Sequence, residues 1–156
     1  GVVITPRQRE YHLKLSQEMD VEAIHRSLEE LVAKIRKHVA PEIVDKVESI
    51  KQSIGAILPQ IADASRADEA AFNVRQTALS YLPETLEGYL RLPPAFARFH
   101  TIKDGKTPKQ ILLEQLDLMD ERMKQIVSDF HRNDADRLLA HGRFLESKFR
   151  QTSLFD

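Results

Sequence analysis

The sequence predicts an all-α fold, an antiparallel bundle of about five main helices with one of them kinked or interrupted at Pro83. Apolar residues recur at steps of three and four along three long stretches: Val21, Ile24, Leu28, Leu31, Ile35 and Val39; Ile43, Val47, Ile50, Ile54, Ile57 and Ile61; Leu112, Leu116, Met119, Met123, Ile126 and Phe130. That spacing aligns one face of a helix, and polar residues cover the other faces. Prolines supply the punctuation, because a proline is tolerated in a first helical turn and breaks a helix interior. No stretch shows the strict alternation of a half-buried strand.

Thr5-Pro6 opens the first helix, with the threonine hydroxyl as cap. This opening stretch carries only Tyr11, Leu13 and Leu15 as large apolar residues before Asp20, so residues 1–19 read as an amino-terminal arm. Asp20 is expected to start the next helix, which ends near Val39 because Pro41 cannot continue it. Pro41 to Ala62 then forms the most regular helix, and the short link at Ala40 makes these two an antiparallel hairpin. A polar stretch, Ala62 to Asp68, separates it from a helix through Ala71, Val74, Ala78 and Leu82. There the ring of Pro83 would clash with the Leu79 carbonyl.

Glu84, Leu86, Tyr89 and Leu90 carry two further turns, and Pro93-Pro94 ends them. After a short turn and the loop Lys103-Asp104-Gly105-Lys106, Thr107-Pro108 repeats the capping signal for a helix to about His131. Asn133 or Asp134 is expected to cap a last helix with Ala135, Leu138, Gly142, Leu145 and Phe149 inward, the two carboxy-terminal helices closing the core. The bundle is thus assigned to residues 20–150 and a tail to 151–156.

Composition narrows the function. The chain has 156 residues, 42% of them apolar, with 23 Lys and Arg against 24 Asp and Glu. Its charges balance to within one in each of the stretches Gly1 to Ala62, Asp63 to His100 and Thr101 to Asp156, leaving no basic segment to follow a nucleic-acid backbone, so direct nucleic-acid binding is not expected. No apolar run approaches the roughly 20 residues of a membrane span. Absence of Cys removes disulfides, thiolate zinc sites and Cys nucleophiles together. Gly1 where Met is usual, and the abrupt start at Val2, suggest a segment of a longer protein, so any membrane attachment is expected only through a part absent here.

Tests for chemistry return packing. The six His residues have no HExxH spacing. Glu22-Ala-Ile-His25 is the single Glu-x-x-His where a di-iron bundle needs a pair with two more inward Glu. Glu114, Asp117, Asp120 and Glu121 interleave with the core stripe and read as a solvated face. Asp129, His131, Asp134 and Asp136 read as a helix junction. Lys103-Asp-Gly-Lys-Thr107 ends like a Walker loop but lacks its leading Gly and strand, so Thr107 reads as a cap. No catalytic residue, metal or cofactor is assigned.

Two segments stand out as partner-binding candidates. In Tyr81-Leu-Pro-Glu-Thr-Leu-Glu-Gly-Tyr89, Tyr81 and Tyr89 flank the break at Pro83, where a groove for a partner helix or ligand is expected. The segment, followed by a loop, a Thr-initiated Leu-rich helix and an Asp-containing last stretch, resembles the bromochloroindolyl-phosphate hydrolysis (XpaC-like) family between Phe72 and Phe149. The resemblance implies a helical bacterial protein associated with the envelope, often with membrane segments ahead of this region. The family name implies a phosphatase phenotype but supplies no active-site residue to carry over.

The second segment is the tail, where Gln151, Leu154 and Phe155 resemble the Gln-x-Ser/Asp-Leu-Phe peptide that docks bacterial replication and repair proteins on the sliding clamp. Thr152 departs from the commoner Leu.

Taken together, these readings predict a non-catalytic helical scaffold or protein-interaction domain that binds a protein partner or itself through heptad-like seams. Its expected place is the cytoplasm, as the soluble domain of a membrane-anchored protein. Clamp docking through the tail and a phosphatase activity are the alternatives.

Overall fold

The computed structural model describes residues 3, 5–61 and 69–153, with the backbone alone at 10–19 and 152–153. The all-α architecture is observed: α1 (Pro6–Arg36), α2 (Pro41–Ile61), α3 (Glu69–Gln76), a π turn (Thr77–Tyr81), α4 (Leu82–Leu90), α5 (Pro94–Phe99) and α6 (Pro108–Ser153). Both threonine caps form. Thr5 accepts from the Gln8 backbone while the Gln8 side chain takes the Thr5 N–H, and Thr107 and Gln110 repeat the exchange, so each helix start has two of its orphan donors satisfied.

Two expected boundaries are absent. α1 runs unbroken through Asp20, and α6 through Asn133 and Asp134. Neither stretch contains an interior proline, and an Asp or Asn inside a helix costs well under about 1 kcal/mol, too little to force a turn where nothing else redirects the chain. The link between Phe99 and Pro108 does turn. Its Asp104 and Gly105 have φ of 52° and 71°, the left-handed pair that an Asp-Gly step accepts most readily, and the Lys106 N–H closes on the Lys103 carbonyl at 2.9 Å.

The chain divides into two units, Gly1–Lys124 and Gln125–Asp156. In the first, α1 and α2 form the expected hairpin. Arg36 pairs with Glu48, Glu29 with Lys51, and His25 lies beside Gly55, so positions rise on one helix as they fall on the other. The start of α6 runs in the same direction as α2: Lys109 pairs with Glu42, Lys46 with Asp117, and Ser49 with Asp120.

All six apolar positions of the α2 stripe are buried, joined by Ile24, Leu28, Val32 and Ile35 of α1, Val74 of α3, Ala78 of the π turn, Leu82 and Leu86 of α4, and Leu112, Leu116 and Met123 of α6. In the second unit Ile126 and Phe130 are buried, while every residue from His131 to Gln151 is exposed. Among the described residues no helix is long and apolar enough to cross a membrane.

Candidate functional site

Pro83 has no N–H to give and its ring would press on the Leu79 carbonyl in a continuous α-helix. The backbone resolves this one turn earlier by widening. The Leu82 N–H reaches back five residues to the Thr77 carbonyl, and the Thr85 hydroxyl donates to the Tyr81 carbonyl at 2.6 Å. The interruption at Pro83 is therefore a π turn that ends just before it, a device frequent at functional sites.

Around the π turn the two tyrosines have different surroundings. Tyr81 is about half exposed (48%), with Leu79 and Phe72 also exposed, and Pro83 is half-buried. Tyr89 is half-buried and lines a cleft of about 500 Å³ together with Lys34 and His38 beside the end of α1, Arg91, and Arg98 of α5. Tyr81 does not line it. With Glu87 as the one acidic side chain in this lining, the cleft is biased toward an anionic group.

The polar face of α6 holds a residue that sequence reasoning misplaced. Asp120, expected on a solvated face with Glu114, Asp117 and Glu121, is buried. Its carboxylate accepts from the Ser49 hydroxyl at 2.7 Å and pairs with Lys124 at 3.0 Å. The signal was present: Asp120 stands four residues after Leu116 and three before Met123, at the border of the core stripe. Nearby, the hydrogen bond and charge of Asp117 hold Lys46 above the usual lysine range, and Lys51 holds the exposed Glu29 carboxyl below its usual range.

His25, the imidazole of the single Glu-x-x-His, does a packing job. A Cβ added at Gly55 would lie 3.4 Å from its ring, at ordinary contact distance, so the imidazole packs over Gly55 where α1 meets α2. Among the described residues no three His, Asp or Glu side chains gather as metal ligands.

The stripe Ala135, Leu138, Gly142, Leu145 and Phe149 was expected to face inward and does not. Leu138 is 72% exposed and Phe149 69%, with Leu139, Phe144 and Leu145 exposed as well, and nothing lies within 4 Å of a Cβ built on Gly142. Periodicity reports that a helix has an apolar stripe; it does not report what covers the stripe. Gln151 is exposed and still helical, since α6 continues to Ser153 where a tail was expected. Leu154 and Phe155 lie outside the described residues.

Models of protein families, curated proteins and solved structures were all compared with the chain, and none matches it.

Proposed function

We propose that this chain is a non-catalytic helical scaffold that works as a protein-interaction domain. The observation that carries the reading is the exposed row Leu138, Leu139, Phe144 and Leu145 on a helical stretch where every residue faces solvent. Single exposed leucines are ordinary. Consecutive turns of them on one helix are the pattern of a surface awaiting a partner. The interior of the first unit fits the same reading, for it is mainly Ile, Leu and Val, with Thr77 and Asp120 the buried polar side chains among the described residues. The resemblance around Tyr81, Pro83 and Tyr89 adds a setting, the cytoplasmic side of a bacterial envelope.

The test is recovery of bound polypeptides, further copies of this chain included, by a tagged protein. Leu138→Ser/Leu145→Ser is expected to release what the parent retains while helical circular dichroism is unchanged. Equal recovery by both would overturn the reading.

A further inference from the structure

The exposed stripe of α6 carries its own partner's pattern. Ala135, Leu138, Gly142, Leu145 and Phe149 recur at steps of three and four, the seam of a two-stranded coiled coil, and small and large residues alternate along it from Ala135 to Leu145. Arg132, Leu139 and Glu146 flank the seam on one side; Asp134, His141 and Lys148 flank it on the other.

Lay a second copy antiparallel so that Leu138 of each chain meets Gly142 of the other. Ala135 then meets Leu145, so both leucines enter the space left by a small residue, and Phe149 meets His131 at the end of the segment. The same register sets Arg132 against Glu146 and Asp134 against Lys148, and symmetry repeats both pairs, so four flanking contacts join opposite charges while Leu139 and His141 each meet their own copy beside the two-fold axis. A parallel pair has less of this. It stacks Gly142 on Gly142, leaving a hole in the seam, sets Asp134 beside Leu139 and Lys148 beside Ser153, and keeps only His141 beside Glu146. Within one chain Arg132 and Glu146 are about 21 Å apart along the helix and do not meet. Glu146 does hold Arg150 at 2.9 Å, but both side chains are well exposed and such a pair exchanges at small cost.

We propose that residues 131–149 of α6 pair antiparallel with the same segment of a second copy, making this chain a homodimer. The proposal rests on the interaction-domain reading and narrows it to one partner.

The test uses the full chain in sedimentation velocity over a concentration series. The parent is expected to reach twice the 17.9 kDa of one chain. Glu146→Arg, which sets Arg against Arg twice, is expected to weaken the dimer about tenfold or more, and Arg132→Glu/Glu146→Arg to restore it. Because the chain has no Cys, His141→Cys beside the two-fold axis is expected to oxidise to a covalent dimer, whereas Arg132→Cys, about 24 Å from its mate, is not. A parent that stays at the mass of one chain, or a charge exchange that fails to restore the dimer, overturns the proposal. Should that happen while Leu138→Ser/Leu145→Ser still releases a different bound protein, the interaction-domain reading stands and only the second copy fails.

Discussion

Asp120 is a carboxylate inside a packed face, and its neighbours explain why it is tolerated there. A buried charge is costly unless hydrogen-bonded and paired, and Ser49 and Lys124 provide both. Removing the hydroxyl strips one of these partners without stranding the charge, since the lysine remains. Ser49→Ala is therefore expected to lower unfolding stability by about 1–2 kcal/mol in urea titration. An unchanged midpoint would mean that water replaces the hydroxyl at no cost. The spacing that picked out Leu116 and Met123 also located Asp120 beside them. What the spacing lacked was Ser49, a residue far away in the chain that only folding brings within reach.

Among the elements, helix starts were legible because a cap is a local event: Thr5 and Thr107 need only their own next three residues to form it. Helix ends and joins were legible only where a residue forbids continuation. Pro83 forced an irregularity that the sequence located, while its form, a π turn, depends on the pairing of the Leu82 N–H with the Thr77 carbonyl. Asp20 and Asn133 merely permit an end, and the chain runs through both. Gly88 illustrates the same local energetics. It lies in α4, exposed, with nothing within 4 Å of an added Cβ, so Gly88→Ala gains helix propensity with no packing penalty. A stability increase of up to about 1 kcal/mol is expected by thermal denaturation. A decrease would show that this position needs glycine for a reason beyond the helix.

At the scale of the whole molecule, stability belongs to the buried aliphatic interior, and exposed apolar positions contribute little to it. Ile50 is fully buried on α2, whereas Leu118 on α6 is 69% exposed. Ile50→Ala is expected to cost about 2–5 kcal/mol in chemical denaturation, and Leu118→Ala to stay within about 0.5 kcal/mol. Comparable losses from both would place Leu118 under a cover that the single chain does not supply.

Fold class, helix periodicity, both threonine caps and nearly all of the α2 core followed from residues close together in the chain, because turn chemistry and the 3.6-residue period are properties of a few neighbouring positions. Folding alone settled the common direction of α2 and the start of α6, the burial of Asp120, the placing of Tyr89 in a cleft away from Tyr81, and the exposure of the Leu138 stripe. Each of these depends on which distant segment lies opposite, and a helical stripe has the same spacing whether its cover is the same chain, another molecule or water.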